Sequence, residues 1–382
     1  MTPASRPPER RDGVRLLAVD TEREGFFDSG VDELPQLLSS GDVVVVNDAA
    51  TLPASLFGVA AGQPVEVRIA GRSPTHWSVV LFGRGDWHSP TEDRPAPPVL
   101  SPGATIALGG GLTATVLGAS TVSSRLLRVQ FDLSGADLWA AIYTSGAPVQ
   151  YSYQQRPLDL WSVQTVYGSQ PWAVEMPSAG RPLAWSTLLA LRRRGVILAS
   201  LTHAAGLSAT GDPALDSALP LPERYHVPRR TVDIINRARK RGGRIIAVGT
   251  SVVRALEGNV REHGHLVPGE HVTDLIIDAS FQARVADGIL TGMHNQDESH
   301  YKLLGAFSGR DTLTASWRHA VETGYLCHEF GDVSLLMPNI SRPKHRRWIS
   351  TSATDSKVRP MVASSRRSPR RDSKLLLQTS AA

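Results

Sequence analysis

The stretch Arg237-Ala-Arg-Lys-Arg-Gly-Gly-Arg-Ile-Ile-Ala-Val-Gly-Thr-Ser-Val-Val-Arg-Ala-Leu-Glu-Gly258 reads as a helix end, a double-glycine stop, a short buried strand, a tight turn and a second helix. Gly242 and Gly243 end the first helix, because only glycine takes positive φ without steric cost. Ile245 to Val248 is a continuous apolar run of strand length, as expected for a central strand covered on both faces. Gly249-Thr250-Ser251 then turns the chain into a helix that Thr250 or Ser251 can cap. Free N–H groups at such a helix start, just past the strand's C-terminal edge, favour an anionic or polyhydroxylated ligand. An ordinary strand–helix junction has the same pattern.

Upstream, after a polar start, Gly41-Asp-Val-Val-Val-Val-Asn-Asp48 gives a second buried strand that ends in two short polar residues. Side chains at that edge point into the crevice where α/β proteins bind ligands, so Asn47 and Asp48 are site candidates. Both residues also favour the turn that follows. From Ala54 to about Arg128 the texture changes to short β-rich runs: Ser55–Val59, Val65–Ile69, His76–Phe82, Ala104–Leu108, Leu112–Leu117 and Arg125–Phe131. Separated by Gly, Pro and Asp clusters, they suggest a small antiparallel barrel or sandwich. A helix over Ala136–Tyr143 follows.

The α/β pattern resumes with Val163–Tyr167, with Trp172–Gly180, with a helix from about Leu183 to Arg193 and with a strand at Val196–Leu201. A helix over 228–241, with Pro228 suited to its first turn, enters the central stretch. Strands at Thr273–Ile277 and Ile289–Thr291, helices at Ser299–Phe307 and Leu313–Thr323, and a strand at Val333–Met337 complete the pattern. The reading is a discontinuous α/β domain (1–53 and 148–340) with an inserted β-barrel (54–147) and a disordered basic tail (341–382).

Bulk composition fits a soluble, loop-rich globular chain of 382 residues, 41% hydrophobic, with 33 Gly and 26 Pro. No run approaches the roughly 18 apolar residues that cross a bilayer, and no apolar signal core opens the chain. A single cysteine, Cys327, leaves no intramolecular disulfide and no thiolate zinc cage. A cytoplasmic monomer without membrane contact is the expectation. The net charge of +5 is uneven: residues 341–382 carry 11 Lys/Arg against 2 Asp/Glu, which leaves 30 against 34 in the preceding body. Such a tail can bind RNA through phosphates or remain a solvated extension.

Taken in order, these stretches resemble the S-adenosylmethionine:tRNA ribosyltransferase-isomerases of queuosine biosynthesis, over roughly residues 13–338. Gly41 to Asp48 with Pro53-Ala-Ser-Leu-Phe-Gly58 is similar to G-D-L-L-V-x-N-D-T-R…P-A-R-L-x-G. Gln164-Thr-Val-Tyr167 with Pro177-Ser-Ala-Gly180 resembles Q-T-V-Y…P-T-A-G, and Glu223-Arg-Tyr225 fits E-x-Y. Gly242 to Glu257 resembles G-G-R-V-I-A-V-G-T-T-x-V-R-x-L-E, and Leu290 to His294 resembles L-T-N-F-H. Ala306-Phe-Ser-Gly309 and Tyr325…Phe330-Gly-Asp332 match the closing segments.

The resemblance implies a mixed α/β domain with an inserted barrel. It also implies transfer and isomerisation of the ribosyl part of S-adenosylmethionine onto 7-aminomethyl-7-deazaguanine in tRNA, giving epoxyqueuosine. S-adenosylmethionine is then a co-substrate, tRNA a partner, and no metal or further cofactor is implied. Such chemistry needs a base for the carbon next to the sulfonium, an acid for the departing adenine and groups that orient the ribose. Asp48, His294 and Glu223 are the catalytic candidates. Asn47, Ser178, Gly180, Tyr225, Gly249, Thr250 and Arg254 form the expected substrate-binding set, with Arg254 suited to a carboxylate or a phosphate. Arg254 and Glu257 also have the spacing of a helix-surface ion pair, and His294 that of a structural hydrogen bond.

Several polar positions depart from the family pattern. Its Arg after N-D-T is Ala50; its G-L-H-F-T reads Gly180-Arg-Pro182-Leu-Ala; its L-H-V-G reads Leu201-Thr202-His203-Ala-Ala; its P-R/K-S reads Gln296-Asp297-Glu298. A related S-adenosylmethionine-dependent transferase or lyase acting on a small molecule, and a catalytically silent RNA-binding protein, are the alternative readings. A metal hydrolase is the weakest, since no spacing among the histidines resembles H-E-x-x-H.

Overall fold

The computed structural model describes residues 1–351. Its body is built on a ten-stranded sheet. The strands run across it in the order Gly269–Thr273, Glu223–Val227, Ile197–His203, Val43–Asn47, Ile245–Val248, Gly288–Gly292, Val333–Met337, Arg15–Asp20, Gly25–Gly30 and Ile349–Ser350. The four central strands, from Ile197–His203 to Gly288–Gly292, are mutually parallel. All their C-terminal ends therefore open at one edge.

The valine and isoleucine runs form these strands because alternate residues serve opposite faces. Val43, Val45, Ile245, Ala247 and Ile289 join one core, covered by the helices Arg229–Lys240, Thr250–His263 and Arg310–Glu322. Val44, Val46, Ile246, Val248 and Leu290 join the other core, under Leu34–Leu37 and Trp185–Arg193. Gly242 takes φ +77° where the first helix of the central stretch stops. Gly243 is needed for a close approach, since a β-carbon there would lie 2.2 Å from the Gly41 carbonyl oxygen.

Between Asn47 and Ile197 the chain leaves this sheet. Six strands, Ser55–Ala60, Gln63–Arg72, Trp77–Phe82, Thr105–Leu108, Thr113–Ala119 and Leu126–Phe131, close into an antiparallel barrel. The mixed α/β body with a small barrel is the expected fold class. Glu66 and Arg68 alternate with the interior residues Val65, Val67 and Ile69, so they lie on the outer face of the barrel, in a buried ionic cluster covered by the loop that carries Arg94. Glu66 accepts from Ser55 Oγ and Arg68 Nε, each at 2.6 Å, and from Arg94 Nη1.

Four local expectations are corrected. Val163–Tyr167 is not a strand: Leu160–Val163 is a 3-10 turn, and Gln164 uses its side-chain amide to bond both Thr51 N (2.9 Å) and Thr51 O (2.8 Å). The strand expected at Thr273–Ile277 lies at Gly269–Thr273, and the carbonyl of Leu275 instead accepts from Arg254 Nε. The polar start conceals the hairpin Arg15–Asp20 and Gly25–Gly30. The chain also stays ordered past residue 341. Trp348 packs on Phe27, Arg346 and His345 bond Glu33, and Ile349–Ser350 pairs with the edge strand. The remainder of the expected tail, 352–382, lies outside the described residues.

Candidate active site

Three adjacent parallel strands end at the same edge: Val43–Asn47 delivers Asp48, Ile245–Val248 delivers Gly249, and Gly288–Gly292 delivers His294. The 3-10 turn Ser178–Gly180 closes over them. A β-carbon built on Gly292 would lie 3.9 Å from Ser178 Oγ and 3.8 Å from His294 Nε2, and one on Gly249 would lie 3.7 Å from Ala179 Cβ. Gly180 has no room for a side chain, because its β-carbon would sit 2.2 Å from the Tyr167 hydroxyl. Four separate stretches of sequence therefore meet in one crevice.

Asp48 is half-buried at this edge, and Thr202 Oγ1 donates to its Oδ1 at 2.7 Å. Asn47 is buried and has a different task. Its Oδ1 accepts from Ala49 N (3.0 Å) and His203 N (2.9 Å), and its Nδ2 donates to the His203 carbonyl (2.9 Å). It locks two strands together rather than facing a ligand. The Thr250–His263 helix has Gly249 as its N-cap at φ 88°, ψ 156°, with no side-chain cap. Thr250 and Ser251 thus do not take the capping role expected of them. The left-handed turn belongs to glycine, and Ser251 Oγ lies 3.5 Å from Asn47 Nδ2.

Deeper on the same side, Glu223 accepts from Arg254 Nη1 and, at 2.7 Å, from Gly206 N. Burial raises its carboxyl pKa even though Arg254 pulls the other way. His203 Nε2 lies 3.4 Å from Glu223 Oε2, and neither ring nitrogen has a hydrogen-bond partner among the described residues. Burial, and then the Arg254 charge, push this imidazole down to about 3, so it is neutral. Arg254 also holds the Leu275 carbonyl, which leaves its buried Nη2 without a partner. The helix-surface pairing of Arg254 with Glu257 does not form, because buried Glu257 accepts from the backbone N–H groups of Arg284, Val285 and Ala286. Tyr225 is fully buried in the core between His203 and His271, so it presents no surface to a substrate in this structure.

At the other end, His294 places Nδ1 3.2 Å from Glu298 Oε2 and Nε2 3.2 Å from Thr291 Oγ1, and its ring stacks on His300. Two of the departures from the family pattern, Thr202 and Glu298, therefore touch the two leading proton-transfer candidates, Asp48 and His294. Pro182 is buried, and Ala50 pairs with Pro171 away from these contacts. The exposed Gln296 and Asp297 lie in the loop beyond His294.

The sequence reading missed His203, Glu175 and Glu329. Tyr151 donates to Glu175, whose carboxyl is pushed up to about 7 by burial. Tyr153 donates to Glu329 and stacks on His328. Arg68 of the barrel lies over the Tyr151 ring, so this acidic flank faces the barrel. Among the described residues, two groups of donors are close enough to hold a metal ion, His294/Glu298/His300 and Glu262/His263/His271. Cations gather elsewhere: a groove of about 760 Å³ at the opposite edge of the sheet is lined by Arg230, Arg237, Arg241 and Arg244.

The family model for queuosine biosynthesis proteins matches residues 2–336. An S-adenosylmethionine:tRNA ribosyltransferase-isomerase from Phenylobacterium zucineum is 34% identical, over 87% of this chain and 95% of that protein. The protein of the same name from Gloeobacter violaceus is 35% identical, over 88% of this chain and 92% of its own length. A solved S-adenosylmethionine tRNA ribosyltransferase from Thermotoga maritima aligns with a TM-score of 0.48 at 23% identity, over 88% of this chain and 96% of that one.

Proposed function

The chain belongs to the queuosine biosynthesis protein family, and we propose that it moves the ribosyl part of S-adenosylmethionine onto the aminomethyl group of 7-aminomethyl-7-deazaguanine in tRNA. Adenine and methionine leave, and epoxyqueuosine is formed. The observation that carries this reading is the meeting of Asp48, the uncapped start of the Thr250–His263 helix and His294 at the ends of three adjacent strands. The sulfonium acidifies its neighbouring carbon, and a carboxylate or imidazole at this edge would take that proton. Asp48 and His294 are the groups we assign to proton transfer. Both stand on the crevice, each oriented by a neighbour's hydrogen bond.

The ligand's methionine carboxylate suits the backbone N–H groups at Gly249-Thr250, beside Ser178 and Gly180. Glu223, Glu175 and Glu329 make the flank acidic, which offsets the desolvation of a sulfonium or an ammonium. Arg254 acts from behind, as the partner that keeps Glu223 in place. Asn47 and Tyr225 support the crevice from within the body.

The test is incubation of purified protein with labelled S-adenosylmethionine, with and without tRNA bearing the precursor base. Adenine and methionine release that requires the tRNA is expected. Release without any tRNA would point to a small-molecule acceptor, a reading favoured by the acidic flank and by cations collected at the far edge. Absence of release under both conditions would remove the enzymatic reading.

A further inference from the structure

We propose that His294, Glu298 and His300 form a binding site for a first-row divalent transition-metal ion, zinc in the first instance. One donor atom from each residue lies within 4.8 Å of the other two, and all three residues are partly buried. Two donors bound to one tetrahedral zinc ion lie about 3.3 Å apart, given Zn–N and Zn–O bonds of roughly 2.0–2.2 Å. His294 Nδ1 and Glu298 Oε2 already stand 3.2 Å apart. The third donor, a His300 ring nitrogen, lies within the same 4.8 Å, and its ring stands 4.9 Å from that of His294, centroid to centroid, with 13° between planes.

The surrounding hydrogen bonds aim these donors. His294 Nε2 faces Thr291 Oγ1 at 3.2 Å; when an ion displaces the Nδ1 proton shared with Glu298, Nε2–H donates to that hydroxyl and the Nδ1 lone pair serves the metal. Asn295 donates to Glu298 Oε1 from its backbone N (3.1 Å) and its Nδ2 (2.9 Å), which leaves Oε2 for the metal. Trp317 Nε1 holds the His294 carbonyl at 3.2 Å. Outer contacts of this kind fix tautomer and ring orientation in metal centres. Two imidazoles and one carboxylate suit zinc, cobalt or nickel better than calcium or magnesium. The competing group has the same close spacing, His263 Nε2 and His271 Nδ1 standing 3.2 Å apart, but its carboxylate, Glu262, is exposed, whereas Glu298 is partly buried.

Metal binding needs only these donors. Its consequence rests on the function proposed above: with Nδ1–H on Glu298 the free lone pair for proton transfer is on Nε2, and an ion on Nδ1 moves the proton to Nε2 and blocks it, so zinc should inhibit. Metal-free protein, prepared with a chelator, would be titrated with Co²⁺. One ion per chain, with visible d–d bands and displacement by Zn²⁺, is expected. Glu298→Gln and His300→Asn should each weaken binding at least ten-fold with circular dichroism unchanged, Thr291→Val about ten-fold, and His271→Asn not at all. Should one ligand variant misfold, the other and Thr291→Val decide. Absence of bands at millimolar Co²⁺, bands that survive the ligand substitutions, or bands lost with His271→Asn would overturn the site. Adenine release should fall with one equivalent of zinc and return with chelator. Metal-free protein that releases no adenine would defeat the proposed reaction, while the cobalt titration would still judge the site.

Discussion

Among the described residues two buried glutamate–arginine clusters stand out, and they are built differently. In the barrel, Glu66 is held by Ser55, Arg68 and Arg94, and both guanidinium groups lie over the Phe82 ring. Burial acts to raise the Glu66 pKa, yet the Arg68 charge and hydrogen bond, together with Arg94, bring it below its ordinary value. At the crevice, Glu223 has one arginine and one backbone N–H, and burial wins, so its pKa rises. His203 beside it uses neither ring nitrogen. The barrel cluster has its carboxylate saturated and serves the fold. Both clusters leave a guanidinium nitrogen unpartnered among the described residues (Arg68 Nη1 and Arg94 Nε, against Arg254 Nη2), but only the crevice adds a buried imidazole with both nitrogens unused, as expected where a ligand is to complete it.

The sharpest way to break this contrast is to remove one partner from each cluster. Glu66→Ala leaves two buried guanidinium groups that cannot lose their protons. It should destabilise the protein by about 3–5 kcal/mol, with little dependence on pH. Denaturant unfolding followed by tryptophan fluorescence would measure this. Arg254→Ala leaves a carboxylate that can take up a proton instead. Its stability cost should be smaller and should shrink on acidification, while S-adenosylmethionine affinity falls roughly ten- to a hundred-fold, the equivalent of about 1.5–3 kcal/mol. Calorimetry on both variants separates the two roles. Equal stability losses, with ligand binding untouched by Arg254→Ala, would erase the distinction.

Glu175 extends the comparison to pH. Its carboxyl rises from 4.5 to about 7, so the folded state holds its proton more tightly than the unfolded chain. The associated stability is fully present below about pH 4.5 and is lost as pH rises through 7. Because the residue keeps some contact with water, the change should be roughly 1–2 kcal/mol, below what the full shift implies. Glu175→Gln should remove that slope when unfolding is compared at pH 5 and pH 8. Parallel pH profiles for parent and variant would show that Glu175 is as well compensated as Glu66.

Much of this was legible from the chain because the strands declare themselves. Val43–Val46 and Ile245–Val248 are apolar at every position, which only a doubly covered strand requires, and their adjacency follows from packing such strands together. The crevice was legible where a residue lies one or two positions beyond a strand, as Asp48 and His294 do. Asn47 shows the limit. Its position predicts a ligand contact, but its partner is the backbone of His203, 156 residues away. His203 and Glu175 gave no local signal, since each owes its character to burial and to residues from other segments. The hairpin at Arg15–Gly30 was hidden by the polar residues of its turn.

The smallest expected effect concerns Thr202, which stands where the family pattern has a histidine. Its hydroxyl donates to Asp48 Oδ1 at 2.7 Å, a single hydrogen bond onto a carboxylate that remains half open to water. Thr202→Val keeps the shape and removes only the donor. Because water can reach Asp48 in its place, unfolding should change by no more than about 1 kcal/mol. Orientation is another matter: a base that swings away from its proton loses rate even when substrate still binds. Adenine release should therefore drop about three- to ten-fold in kcat with KM little altered, roughly the worth of one modest hydrogen bond. A fall in KM-linked affinity alone would move Thr202 to ligand binding. An unchanged rate would mean that Asp48 is positioned by its backbone, whose N–H donates to the Leu201 carbonyl at 2.9 Å, and needs no side-chain support.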